Sequence, residues 1–112
     1  MEEIIDEDDF LLSLVRGNFK DYNIDKAIEE CVEFLEILIK TKTKVLAKKP
    51  DKMALIDEFG DLMYRGMVAI QDVIFSDEDD FSKLDEAINA RIAKKLKELY
   101  NYRLQHPNSM RV

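Results

Sequence analysis

The residues best suited to chemistry in this chain are carboxylates at helical spacing. Glu30 and Glu33 stand three apart, as do Glu58 and Asp61, and residues three apart share one face of a helix. Two such pairs on facing helices make an all-oxygen cluster, suited to the hard cations Mg²⁺ or Mn²⁺ and lacking the His or Cys that Zn²⁺ prefers. Spacing alone is weak evidence, because 24 acidic residues placed at random among 112 give roughly five such pairs. The surroundings of the second pair add more. Between Met53 and Ile70 the charged residues are Asp57, Glu58, Asp61 and Arg65, so a helix there is buried on most sides and its charged stripe is narrow. Half-desolvated carboxylates are costly unless a cation compensates. Arg65, one turn after Asp61, can neutralise that residue, but not also Glu58 and two glutamates from another helix.

Four helices must position these groups. Residues 2–15 read as a packing helix with Ile4, Ile5, Phe10, Leu11, Leu14 and Val15 as its apolar set, closed by a left-handed residue at Gly17-Asn18. A second helix runs from Ile24, with Asn23 or Asp25 as N-cap. Its stripe of Ile24, Ile28, Cys31, Leu35 and Leu38 is the expected core face, with Cys31 a buried thiol. At 100° per residue Glu30 and Glu33 fall roughly 120–180° from that stripe, sharing the opposite face with Lys26 and Ile37. The second helix should end near residues 40–43, with a loop over 44–50, so that both carboxylate pairs lie equally far from the connection. Pro50 opens a third helix over about 51–75, and Gly60 and Gly66 inside it imply close approach of a neighbouring backbone. The acidic run 77–80 precedes a fourth helix, whose stripe is Phe81, Leu84, Ile88, Ile92, Leu96 and Leu99.

The composition agrees with this plan. Three Gly and two Pro leave few turns, which excludes an all-β domain, and 112 residues allow a single domain. A net charge of −7 argues against nucleic acid as a partner. One cysteine excludes a disulfide framework, no apolar run is long enough for a membrane span, and Met1-Glu2-Glu3 has the wrong sign for a secretory signal. A soluble cytoplasmic protein without membrane partners is the expectation.

Here the sequence resembles the MazG-like all-α nucleoside triphosphate pyrophosphohydrolases, whose signature is EExxE followed, roughly 12–28 residues later, by ExxD. The first element reads Glu29-Glu30-Cys31-Val32-Glu33 and the second Glu58-Phe59-Gly60-Asp61, with 24 residues between them. Asp57-Glu58-Phe59-Gly60-Asp61-Leu62 is similar to the EELGDV run of the family. The resemblance spans about residues 20–103 and implies an all-α, four-helix MazG-like bundle; the chain reads as one domain over residues 1–112, with 1–19 as a packing helix and 104–112 as a flexible tail. It implies Mg²⁺ held by Glu30, Glu33, Glu58 and Asp61, and hydrolysis of a nucleoside triphosphate to the monophosphate and pyrophosphate. Glu30 and Glu33 are then the candidate catalytic bases, ahead of Glu29. Lys26, one turn before Glu30, and Arg65 are candidate phosphate contacts. Arg91-Ile92-Ala93-Lys94-Lys95 resembles the family's KxxKN segment, which adds Arg91 and Lys94 as substrate contacts, with Lys95 standing where the family often has Asn. Phe34 and Tyr64 are candidates to line a base pocket.

Two other readings compete. Asp61-Leu62-Met63-Tyr64 resembles the DLLY run of phosphoribosyl-ATP pyrophosphohydrolases, although the lysine and glycine pattern usual before their first glutamate is missing. A non-catalytic helical interaction module would carry the same acidic faces merely solvated. Either way, the apolar faces of the first and third helices exceed what four short helices can cover, so a homodimer or a dimer of dimers is expected.

Overall fold

The architecture follows from four amphipathic segments, which the structure, a computed structural model describing residues 6–46 and 52–108, forms as helices with no strand among those residues. They are α1 (Glu7–Gly17), α2 (Lys20–Leu46), α3 (Lys52–Ile74) and α4 (Ser82–Gln105). None is long and apolar enough to cross a membrane. The chain divides into two compact units, one reaching Asp80 and the other starting at Phe81.

In the first unit, Asp6 caps α1 by accepting from the Asp9 backbone N–H at 3.2 Å, and Glu7, Asp8 and Asp9 place negative charge where the helix dipole favours it. The expected start at residue 2, with Ile4 and Ile5, lies outside the described residues. Leu12 and Val15 are buried, whereas Phe10 is exposed. The helix ends without the expected left-handed residue, because Asn18 is extended at φ −116° and ψ 154°. α2 also starts earlier than Ile24. Asn23 donates its backbone N–H to the Phe19 carbonyl, so it lies one turn inside the helix and caps nothing.

α2 and α3 run antiparallel, with Asn23 against Asp72 at one end and the Phe34 and Phe59 rings 5.5 Å apart further along. The face that α2 turns inward carries Asn23, Ala27, Glu30, Phe34, Ile37 and Thr41, all buried or half-buried. Their steps of four and three residues are those of a helix–helix seam. The stripe expected to form the core behaves the other way. Ile24, Ile28, Leu35 and Leu38 are 37–56 % exposed, and the Cys31 thiol is exposed rather than buried. Periodicity identified the stripe correctly, but α2 has two seams of the same period, and the one with glutamates is the one that α3 covers.

α2 extends to Leu46, past the expected end at 40–43, and the remainder of the expected loop, with Pro50, lies outside the described residues. Equal arm lengths are therefore unnecessary. Glu33 stands roughly 20 Å from the end of α2 and Glu58 roughly 9 Å from the start of α3, an offset that six chain steps can span.

α1 packs mainly on α3, and the lock between the three helices is polar. Asn23 Nδ2 donates to Asp72 Oδ2 at 3.1 Å and to the Leu14 carbonyl at 3.4 Å, with Asn23 and Asp72 both buried. Gln71 Nε2 donates to the carbonyls of Phe75 and Asp80, which ties the end of α3 to the turn that follows it. In the second unit, Phe81 precedes α4 without a side-chain cap, and Phe81 and Leu84 are buried while Ile92 and Leu96 are exposed. Leu104 and Gln105 are helical, so the expected tail begins later, at His106.

Asn23→Ala removes the donor that solvates a buried carboxylate, and an unpartnered buried polar group costs about 1–3 kcal/mol. Urea unfolding should show a loss of that size, with part of it recovered in Asn23→Ala/Asp72→Ala. A change under about 0.5 kcal/mol, as for an ordinary surface site, would contradict the assigned role.

Candidate metal centre

Turning the polar seam of α2 inward puts Glu30 and Glu33 opposite α3, whose own narrow charged stripe holds Glu58 and Asp61. Carboxylate oxygens of Glu30, Glu33 and Glu58 lie within 4.8 Å of one another. All three side chains are half-buried, and Glu30 Oε2 and Glu58 Oε2 are shielded from solvent with no hydrogen-bond partner. Asp61 stands beside this trio, near enough for its charge to act on both Glu30 and Glu58.

The electrostatics follow from crowding like charges out of water. Burial is the largest cause raising the Glu30 carboxyl above its usual 4.5, followed by a hydrogen bond with Glu33 and the charges of Glu33, Asp61 and Glu58. Burial also leads for Glu58, followed by the charges of Glu33 and Asp61, a hydrogen bond with Glu33, and Asp57. Both glutamates therefore resist ionisation when no cation is near.

The donor set suits a hard divalent cation. Three carboxylates supply only oxygen, two of their oxygens lack partners, and oxygens within 4.8 Å of one another are near enough to share one Mg²⁺, whose opposite ligand oxygens stand roughly 4.2 Å apart. Glu30, Glu33 and Glu58 would hold the ion, with Asp61 completing the negative charge around it.

The cations near this cluster have other contacts. Lys26 Nζ donates to Glu29 Oε2 at 3.0 Å, which also engages the glutamate ranked last as a base. That bond and the charge of Glu29 hold Lys26 above its usual 10.5, with Arg65 across the seam opposing them. Arg65 Nε donates to the Tyr64 hydroxyl at 3.1 Å and the guanidinium lies over that ring, so it bonds to its chain neighbour rather than to a carboxylate. Its Nη1 is buried without a partner. Arg91 and Lys94 are exposed on α4, in the second unit.

The extent of one feature went unread in the sequence, which offered Phe34 and Tyr64 alone as lining. An open apolar groove of about 440 Å³ is lined by Phe34, Leu55, Ile56, Phe59 and Gly60. Phe34 follows Glu33 and Phe59 follows Glu58, so the groove flanks the carboxylates on both helices. That adjacency was the available signal. Phe34 lines the groove as expected, whereas Tyr64 is engaged by Arg65 instead. The glycines do not have the expected explanation, since a Cβ at Gly60 or Gly66 would meet nothing within 4 Å. No family model matches the chain, and neither a curated protein nor a solved structure matches it.

The raised carboxyls fix the sign of a pH effect. An acid whose folded pKa lies above its unfolded value binds more protons when folded, so stability present below about 4.5 is lost as pH rises through the raised value. Glu58→Gln abolishes that loss at its own site. In chelator-treated protein, the melting temperature of Glu58→Gln minus that of wild type should increase with pH above about 4.5. A difference that shrinks over the same range would contradict the crowded cluster.

Proposed function

We propose that this protein is a Mg²⁺-dependent nucleoside triphosphate pyrophosphohydrolase of the MazG-like all-α type, releasing nucleoside monophosphate and pyrophosphate. The observation that carries this reading is the convergence of Glu30, Glu33 and Glu58 from two helices, with oxygens shielded from water and unpartnered. Like charges free to move in water would separate, so the shielded, unpartnered oxygens favour a cation site over a merely solvated face. The EExxE and ExxD order of the sequence supports the same reading, and the four helices are compatible with a MazG-like bundle.

When bound, Mg²⁺ supplies charge neutralisation for phosphate oxygens and lowers the pKa of water. The chain's residues do the rest. Glu30, Glu33 and Glu58 would hold the cation, with the charge of Asp61 beside them, and whichever of Glu30 and Glu33 the ion leaves free would accept the proton of the attacking water. Lys26 and Arg65 come from opposite sides of the seam to the edge of the cluster, where a triphosphate can exchange for their present partners, Glu29 and Tyr64. The groove between Phe34 and Phe59 offers apolar contact to the base and no charged side chain to read it.

Pyrophosphate release from a panel of nucleoside triphosphates, with Mg²⁺ and with EDTA, tests the proposal. Activity should require the metal, and Glu58→Gln and Asp61→Asn should each lose at least 10–100-fold, since even partners one step removed from a metal cost that much. At a hundredfold excess over Kd the metal should stabilise wild type by about 2.7 kcal/mol and both variants far less. Undiminished metal stabilisation of Glu58→Gln would exclude the site, and metal binding without hydrolysis of any nucleotide would exclude the reaction.

A further inference from the structure

We propose that Lys40 and Lys44 extend the candidate metal centre into a phosphate track along α2, which holds the phosphates of a polyphosphate substrate that reach past the cation. The substrate is taken from the pyrophosphohydrolase reading, on which this track rests, whereas the test of the track needs no turnover.

Helical geometry lines the groups up. α2 is one continuous helix from Lys20 to Leu46, and the turn by which it outruns its expected end carries Lys44. At 100° per residue, Lys26, Lys40 and Lys44 each fall within roughly 20° of Glu33 around the helix. At 1.5 Å per residue, Lys40 stands roughly 10 Å beyond Glu33 and Lys44 roughly 16 Å, while Lys26 stands roughly 10 Å the other way. One side of α2 therefore reads cation, carboxylates, cation, cation. The row lies within the unit that ends at Asp80, so it is the same wherever α4 is placed.

The two lysines past the acids are uncommitted. Lys26 is bonded to Glu29, whereas Lys40 and Lys44 are exposed and make no ion pair among the described residues, although Glu36 stands one turn before Lys40. From residue 37 to residue 50 the sequence holds no acid at all. An unpaired surface lysine is ordinarily only solvated, and what distinguishes these two is their alignment with the carboxylates. A chain of net charge −7 repels a polyanion, and salt screens distant compensation, with a Debye length of about 8 Å at physiological ionic strength. Phosphates that extend past a cation in the acidic seam need positive charge beside them on the same side of the helix. A lysine ammonium supplies it with three donors for phosphate oxygens. Lys42 provides the comparison. It has the same charge and exposure but points roughly 160° away from both Lys40 and Lys44, so it adds to the field without lying on the track.

Titration calorimetry of the full chain with inorganic tripolyphosphate and with pyrophosphate, Mg²⁺ being equal in cell and syringe, tests the track. Lys40→Gln/Lys44→Gln should weaken tripolyphosphate by about tenfold or more, since hydrogen bonds to charged groups are lost, and should weaken the shorter pyrophosphate less. Its metal-free melting curve should match wild type. Lys42→Gln should weaken neither anion more than about twofold, as expected of a charge acting through solvent. The proposal is overturned by a wild type that does not bind tripolyphosphate, by undiminished affinity in the double variant, or by a loss in Lys42→Gln as large, which would indicate net charge alone. Binding through these lysines without hydrolysis of any nucleotide keeps the track and excludes the reaction; hydrolysis with an undiminished double variant does the reverse.

Discussion

Crowding of like charge along the inner seam of α2 and α3 is the constraint on which the rest of this protein turns. Two helices that pack through glutamates give up much of the apolar burial that normally holds such a pair together. Their contact is maintained by what flanks the acids: Phe34 against Phe59 on one side, and the buried Asn23–Asp72 bond that also reaches α1 through the Leu14 carbonyl. A seam built this way crowds like charge when no cation is near. The fold and the proposed site are two descriptions of the same interface.

That choice of seam has a second consequence. α2 carries two faces with the same four–three spacing, and using the polar one internally leaves the aliphatic one outside, beside the exposed apolar face of α3. The placement of the acids inside and the exposure of the aliphatic face of α2 therefore arise together. The groove next to the acids lies where both meet, with its aromatic walls each one residue beyond a candidate ligand.

The cations around the cluster show how local partners hold long side chains until something better arrives. Lys26 rests on Glu29 and Arg65 on Tyr64, each within one turn of its own helix. The exposed Lys26–Glu29 pair contributes little, whereas Arg65 is half-buried against Tyr64. Arg65 keeps one buried nitrogen without a partner, so its present arrangement leaves a donor unused at the edge of the acidic cluster.

Much of this was legible in the residues themselves. Scarce Gly and Pro and a 3.6-residue period specify four helices and nearly all of α3 and α4, because those signals are local. The two carboxylate pairs, their shared faces and the narrowness of the α3 stripe were equally readable, since spacing along a helix fixes direction around it. What spacing could not decide is which of two equivalent seams on α2 meets α3. That depends on contacts between residues far apart in the chain, and the apolar stripe, with Cys31 in its middle, was accordingly assigned to the core when it lies outside. Asn23 looked like a cap for the same reason: its type suits a helix start, and only Asp72, 49 residues away, makes it a buried donor one turn inside. Local chemistry determined the elements and the candidate ligands, whereas the facing of α2, and with it the meeting of Glu30 and Glu33 with Glu58, was decided by tertiary packing, because a helix can rotate about its axis without changing a single local interaction.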